Sequence, residues 1–458
     1  MIVLFVHLSC HVGYGDEHPQ PTVSSSQPQD VEIPGGFSGD PIAFFDDLSW
    51  RSFIALNWPA KDGERGEADP IKTLGDPSNN VVWETWKADY ELLQPNGQRP
   101  SEWDSFSTVS PCTDLPLDTA GHAKILGTSG HISTAISHYN QMGLVGASGT
   151  LIAQNRTYTR FEIRMNRREY DFIRGVDTDP QSFLYLAKNL PAVNADPIVF
   201  PAGSMEVKAA WREFKLPEEA SLLPRYYVRK TVLVDPPAND CRNATAGLVG
   251  LHIVHRTPSR REWVWSSFEH IDNLDAPDGI RPTYRDPDIT TGPVNVLEAI
   301  VDDTHPPKTN PTRTQVKRIK AIHDSTKKTN ERYRNHEDVS GTVWKNYQLV
   351  MTQWPTMPAA SDSEFKLRSH QAYPQGAGTP FPMDTPGSGT SISNVTMETP
   401  TPFQQQFSCM RCHFSRVNNN TEFVWFLRLR AFDPDEVSVA AKQRAIAEFS
   451  KRILNEAQ

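Results

Sequence analysis

The sequence predicts an α+β protein: a β-rich main domain, built as an antiparallel sheet or a sandwich, followed by a C-terminal segment of loops and helix. Several segments between residues 158 and 270 alternate apolar and polar side chains with period two, which is typical of half-buried strands. Residues 355–406 are instead rich in Pro, Gly, Ser and Thr, which favours loops. Residues 433–454 then have a helical pattern that opens on Asp-Pro-Asp-Glu, a good helix start.

Composition divides the 458 residues into four parts. Residues 1–36 begin with a short apolar stretch and continue as a Gln/Pro/Ser-rich run, which predicts a signal remnant and a flexible tether. Residues 37–295 form the predicted β-rich domain. Residues 296–340 read as a basic helical connector, and residues 341–458 as the C-terminal region.

Within the main domain, apolar groups at helical spacing predict a helix from Ile42 to Leu56. It should end before Pro59, because the residue preceding a proline disfavours the helical conformation. A short helix is expected from Arg167 to Ile173. Strands are predicted over residues 158–166, 205–211, 225–234, 247–255, 263–270, 344–354 and 422–430, with a hairpin turn near Pro258.

One motif near the end of the chain carries chemistry. Cys409, Cys412 and His413 form Cys-x-x-Cys-His, the attachment signature of a c-type haem. The two thiols bind the porphyrin vinyl groups, and the adjacent imidazole binds the iron. A structural zinc site would need two further ligands, and a thiol redox pair is expected near the start of a βαβ unit. The motif therefore predicts one covalent haem c bound through Cys409, Cys412 and His413.

The second axial position of the iron is left open by the sequence. The residues after His413 include neither Met nor His, so a sulfur or imidazole ligand must come from upstream. His252 and His255 are three apart on a predicted strand, so they face opposite sides of it. The candidates, which include no ligand at all, are Met397, Met383, His370, Met351, His252, His255 and His270.

Export is expected, because covalent haem c is attached outside the cytoplasm, where disulfides also persist. Cys10 follows the apolar start and precedes the polar run, a pattern similar to a lipoprotein cleavage site. A lipid anchor at Cys10 and a location in the periplasm or on the outer surface of a bacterium are expectations from this pattern. Cys112 and Cys241 both lie in loop-like sequence and are predicted to form a disulfide, with two separate thiols as the alternative.

The charge of the chain limits the kinds of partner that it is expected to bind. The net charge of −9 argues against a general nucleic-acid binder, and no run of about eighteen apolar residues predicts a membrane-spanning helix. The stretch from Lys308 to Arg334 is locally basic, around an apolar stripe that includes Val316. It predicts a solvated helix packed on one edge. The alternative is a docking face for an acidic redox partner, whose identity the sequence does not give.

The combination of several segments resembles a family of bacterial exported proteins catalogued as "cytochrome c family protein". The similarity covers about residues 40 to 430. The segments that carry it are Trp50–Pro59, Trp83–Lys87, Glu206–Arg212, the hairpin through His252 and His255, and the Cys409–His413 motif. The resemblance implies one covalent haem and export, and it implies no defined reaction.

The sequence therefore predicts an exported monohaem c-type cytochrome that transfers single electrons. The alternative is a haem oxidoreductase that acts on a small oxidant or an organic substrate, since the chain is large for a carrier. A third hypothesis is a surface binding protein with a structural haem. The absence of a second Cys-x-x-Cys-His counts against a dihaem peroxidase, and the sequence has no common hydrolase or phosphate-binding motif.

Overall fold

The fold is described from a computed structural model. It covers residues 18–77, 80–94, 97–106, 124–127, 149–192, 195–235, 240–299, 301, 305–369, 393–406, 409, 413, 421–422, 424, 426–427 and 431–433. The helices in these ranges are α1 Ile42–Leu56, α2 Asp89–Leu92, α3 Arg167–Arg174, α4 Asp324–Arg334, α5 Glu337–Ser340, α6 Asp362–Ser369 and α7 Thr401–Gln406.

The described strands form one large sheet. They are β1 Lys87–Ala88, β2 Lys124–Gly127, β3 Arg160–Met165, β4 Met205–Glu213, β5 Val228–Asp235, β6 Asp240–Thr257, β7 Arg260–His270 and β8 Tyr347–Gln353. Their order is β1-β3-β4-β6-β5-β2, and β7 joins β6 to β8. Seven strands pair antiparallel, while β2 pairs parallel with β5. The predicted β-rich α+β class is confirmed as a sheet, and its strands do not divide into a sandwich over the described ranges.

Register gives the sheet two faces. Face A carries Leu251, Ile253 and Phe268, and face B carries His252 and Trp265, because side chains alternate along a strand and directly paired residues share a face. The long β6–β7 hairpin lies at the centre of both faces. Its predicted strands and turn are confirmed, since β6 ends at Thr257 and β7 begins at Arg260, on either side of Pro258.

Helix α1 covers face A. The ring of Phe53 stacks on Phe268 at 4.3 Å, and the ring of Trp50 meets Phe268 edge-on at 5.2 Å. The indole nitrogen of Trp50 donates to Asn330 Oδ1 on α4 at 2.9 Å, and Asn330 Nδ2 donates to the carbonyl of Leu349 on β8 at 2.8 Å. One amide thus ties α1, α4 and β8 together. The predicted helix over residues 42–56 is confirmed, and its end at Leu56 precedes Pro59 as expected.

Residues 18–36 differ from the flexible tether that their composition suggests. They form no helix or strand, but they lie against the domain. The backbone N–H of Thr22 donates to Tyr333 Oη at 3.3 Å, and Gln27 Nε2 donates to Ser52 Oγ at 3.0 Å. The carboxylate of Asp30 accepts from both the backbone and the hydroxyl of Ser259. Polar groups that were expected to remain in water therefore have partners on α1, α4 and the β6–β7 turn.

The basic connector also differs from the prediction. Asp324–Arg334 and Glu337–Ser340 are helical, whereas residues 308–323 are irregular or extended. The backbone N–H groups of Thr314 and Val316 donate to the carbonyls of Ile152 and Tyr284 at 3.0 and 2.9 Å, and both side chains are buried. Partners on neighbouring chain segments replace the internal bonds of a helix, and Pro311 disfavours helix just before them.

The C-terminal region is described only in part. The positions of Phe426 and Leu427, within the strand predicted for residues 422–430, are helical. Their burial among apolar side chains explains why composition alone favoured a strand. The predicted helix over 433–454 lies outside the described residues beyond position 433. At Phe432 the chain pairs with Leu186 in a short parallel bridge.

Candidate functional site

Face B carries a polar strip across the centre of the sheet. Most natural sheet centres are apolar, so polar side chains here need a partner or a ligand. One rung of paired residues comprises Lys208, His252, Ser267 and Met351, and the next comprises Glu206, Val254, Trp265 and Gln353. The strip lies where the C-terminal region meets the sheet.

A turn at residues 393–399 is the first part of the C-terminal region on face B. The side-chain amide of Asn394 donates to Ser267 Oγ at 3.2 Å and to the carbonyl of Phe268 at 2.9 Å. The N–H of Val395 donates to Glu269 Oε1 at 2.5 Å. Gly250 allows this close approach, because a Cβ there would lie 2.2 Å from Thr396 Oγ1. The turn is thus fixed next to the His252 rung.

The described part of the Cys-x-x-Cys-His motif lies against the same strip. The ring of His413 lies 4.3 Å from the ring of Trp265, with their planes inclined by 52°. Cys409 is half-buried and packs on the main apolar core. Cys412 lies outside the described residues. The structure therefore places Cys409 at the core and the His413 imidazole on face B.

His252 is the side chain of the strip with the properties expected of a metal ligand. It is 8% exposed, and its Nε2 has no hydrogen-bond partner. The nearest carboxylate oxygen recorded for that atom is Glu398 Oε1 at 3.6 Å, beyond hydrogen-bond range. Burial, together with the charges of Lys208 and His413, lowers the pKa of His252 to about 3. His252 is therefore a neutral imidazole with an available nitrogen, within electrostatic reach of His413.

Two other candidates for the second axial position already have hydrogen-bond partners at their ligand atoms. His270 uses both ring nitrogens: Nε2 bonds the carbonyl of Arg225 at 2.9 Å, and Nδ1 accepts from the N–H of Asp272 at 3.1 Å. The sulfur of Met351 accepts from Gln353 Nε2 at 2.8 Å. Met397 is fully buried in an apolar cluster beside the 393–399 turn, and its Cε lies 3.4 Å from the Cβ position at Gly250, so it is also on face B.

His255 faces the other way. It pairs in register with Met205, and both point to face A, as the three-residue offset from His252 predicted. There they line a cleft of about 770 Å³ between the N-terminal segment and α3, together with Trp86 and Trp103. His370 and Met383 lie outside the described residues. Among the described candidates, His252 is the histidine that combines a place on face B with a ring nitrogen that lacks a hydrogen-bond partner.

Three buried carboxyl groups gather at the end of the strip. Glu169 on α3 has no hydrogen-bond partner at either oxygen, and Glu206 lies on the Trp265 rung. Glu422 accepts from Arg256 Nε and the N–H of Phe200, both at 3.2 Å. Burial raises the pKa of Glu169 well above its usual value and raises those of Glu206 and Glu422 to about 8. These groups hold protons near neutral pH.

The basic segment is partly used inside the molecule. Arg318 forms an ion pair with the buried Glu269, and Lys320 Nζ donates to the carbonyl of Gln405 at 3.0 Å. Ile319 N donates to Gln404 Oε1 at 3.0 Å. These contacts attach α7 and the 393–399 turn to the domain. Lys317, Lys327 and Lys328 remain exposed.

Cys241 is disulfide-bonded, and it lies on β6 opposite Val234. Its partner is outside the described residues, as are Cys10 and Cys112, so the Cys112 pairing stays a prediction. Over the described ranges, no three His, Cys, Asp or Glu side chains gather as a metal site. The same ranges include no helix with the length and apolar character to cross a bilayer.

Comparison of the chain with family models, curated proteins and solved structures finds no match. The resemblance to exported cytochrome c family proteins therefore remains an expectation.

Sequence reasoning missed Trp265 and Glu398 as parts of the site. Trp265 was visible only as one aromatic residue of a predicted strand, and Glu398 as a residue of a Thr-rich loop. The signal for Trp265 was present in the period-two pattern. Placing Trp265 at the site required the hairpin register, which puts it opposite Val254 and on the same face as His252.

Proposed function

We propose that this protein is an exported monohaem c-type cytochrome that passes single electrons. The observation that carries the proposal is the position of the motif: the His413 imidazole lies on Trp265, on a sheet face with an uncommitted buried imidazole. A haem joined to Cys409 and Cys412 would present its iron to His413. When bound, that group supplies a reversible one-electron couple at the iron.

The residues around the motif support this proposal because they suit a buried macrocycle. Trp265 orients the His413 ring, and the half-buried Cys409 is held by apolar neighbours. The Arg318–Glu269 ion pair and the Asn394 bonds fix the preceding turn on face B. A fixed support of this kind would limit reorganisation around a bound iron, which suits electron transfer. A disulfide at Cys241 agrees with an oxidising compartment.

The direct test is expression in a bacterial host that matures c-type haem. Pigment should remain with the polypeptide in acidified organic solvent, and the mass should increase by one haem. Replacing both attachment thiols, Cys409→Ser with Cys412→Ser, should release the pigment, whereas Cys10→Ser should retain it. A colourless parent protein, or pigment that extracts from it, would overturn the proposal.

Carbon monoxide binding distinguishes the electron carrier from the alternative, a haem oxidoreductase. A carrier keeps both axial positions filled, so carbon monoxide should change the spectrum of the reduced protein slowly or not at all. The described cleft beside His255 opens on face A, while His413 lies on face B. Rapid binding of carbon monoxide by the parent protein would favour the enzyme.

A further inference from the structure

The iron of a haem held at His413 needs a second axial partner. The described residues differ in whether they have a ligand atom suited to that position. A ligand atom must be uncommitted, must lie on the same side of the sheet as His413, and must be shielded from water. Neutral imidazole nitrogen and thioether sulfur are the common choices in c-type cytochromes.

His252 meets these conditions. Its directly paired neighbours are Lys208 and Ser267, and it shares face B with Trp265, two positions along the hairpin. Because Trp265 contacts the His413 ring at 4.3 Å, the two histidines lie over the same part of face B. The unsatisfied Nε2 of His252 is unusual, since a buried nitrogen without a hydrogen-bond partner carries an energetic penalty.

A bond from that nitrogen to iron would remove the penalty. We propose that His252 Nε2 is the second axial ligand of the haem iron, opposite His413. The assignment rests on the proposed function, because it requires a haem on Cys409 and Cys412. It makes the protein a bis-histidine cytochrome, with a lower potential than a His/Met haem in the same surroundings.

The carboxyl group of Glu398 is held close to His252. Its Oε1 lies 3.6 Å from His252 Nε2. Glu398 belongs to the 393–399 turn, which Asn394 attaches to β7 through its bonds to Ser267 and Phe268. Its Oε2 accepts the N–H of Asn394 at 3.0 Å, so the carboxyl is held in place. Glu398 therefore lies beside the His252 ring without a hydrogen bond to its Nε2.

The assignment is tested on the matured protein with covalent haem. Near-infrared magnetic circular dichroism and electron paramagnetic resonance of the unmodified oxidised protein should give the low-spin signature of two imidazoles. His252→Ala should convert the ferric haem to high spin and increase its cyanide affinity at least about tenfold, because a coordination position becomes open. Added imidazole should restore the low-spin spectrum. His255→Ala, on face A, is the matched control and should leave the spectrum unchanged.

A second variant keeps the test decisive if His252→Ala folds poorly. His252→Met should remain low-spin and acquire a His/Met near-infrared band, with a higher midpoint potential. A parent protein with retained haem and a His/Met signature would overturn the assignment and leave the proposed function standing. A high-spin signature would overturn the assignment and favour the oxidoreductase alternative. A parent protein with no covalent haem would overturn the proposed function itself.

Discussion

The ring of His413 lies 4.3 Å from the ring of Trp265, at an inclination of 52°, and this contact joins the end of the chain to the centre of the sheet. Trp265 is 5% exposed and belongs to the hairpin strand β7. An imidazole on a rigid indole has few orientations available. The contact with Trp265 therefore limits the orientations that the His413 ring can adopt.

Replacing Trp265 with Ala should loosen His413 and weaken the fold. Loss of a buried tryptophan side chain typically lowers the free energy of unfolding by about 3–5 kcal/mol. The Soret circular dichroism of the matured protein should also lose intensity, because that signal depends on aromatic rings beside the haem. Trp265→Phe keeps a ring and should retain most of both. An unchanged Soret signal in Trp265→Ala would mean that the indole does not support the haem ligand.

The sequence predicted the sheet and the motif but not their relation. Strands over residues 205–211 and 247–270 were predictable because alternation over a long hairpin is a strong local signal. Their arrangement as one sheet and the position of His413 on Trp265 depend on register and long-range packing, which no local pattern encodes. The basic stretch at 308–323 was misread as helix because its bonds go to Ile152 and Tyr284, far away in sequence.

The candidate ligands show the same limit. The spacing of His252 and His255 correctly predicted that they face opposite sides, since that follows from strand geometry alone. Which of the two sides would meet His413 could not be predicted. His270 could be set aside only once both of its ring nitrogens were seen to be bonded.

Gly250→Ala should displace the turn at residues 393–399. The added methyl group would lie 2.2 Å from Thr396 Oγ1 and 3.3 Å from Asn394 Oδ1. Overpacking of this kind costs about 1–3 kcal/mol, which chemical denaturation should measure as a lower free energy of unfolding. Limited proteolysis should cut the displaced turn faster than in the parent protein.

Gly341→Ala is the matched control for this prediction, because its added Cβ meets nothing within 4 Å. Removing the clashing hydroxyl with Thr396→Ala in the Gly250→Ala background should recover part of the lost stability. If Gly250→Ala is as stable and as resistant to protease as the parent protein, the turn does not lie against β6.

The Cys112–Cys241 pairing gives a separate prediction. Cys241 is disulfide-bonded, so Cys112→Ser should leave a thiol at Cys241 that reacts with alkylating reagents. Loss of a native disulfide typically costs about 2–5 kcal/mol of stability. The double variant, Cys112→Ser with Cys241→Ser, should be no less stable than either single one. A Cys112→Ser protein whose Cys241 stays protected from alkylation would show that the partner is a different cysteine.

The last prediction concerns pH and Glu422. Burial raises the pKa of this carboxyl from 4.5 to about 8 in the folded protein, and the Arg256 charge and the bonds from Phe200 and Trp263 offset only part of that rise. The native state therefore binds a proton that the unfolded chain releases above pH 4.5. Its contribution to stability is fully present below pH 4.5 and is lost as pH rises through about 8.

Between these values, each such carboxyl lowers the free energy of unfolding by at most about 1.4 kcal/mol per pH unit. Glu206 and Asp46, whose pKa values burial raises to about 8 and about 7, should add to the same slope. Chemical denaturation across this range should show a flatter profile for Glu422→Gln than for the parent protein. Glu337→Gln, at an exposed position on α5, is the control. An identical slope in Glu422→Gln would mean that Glu422 is ionised in the folded protein and that its pairing with Arg256 outweighs burial.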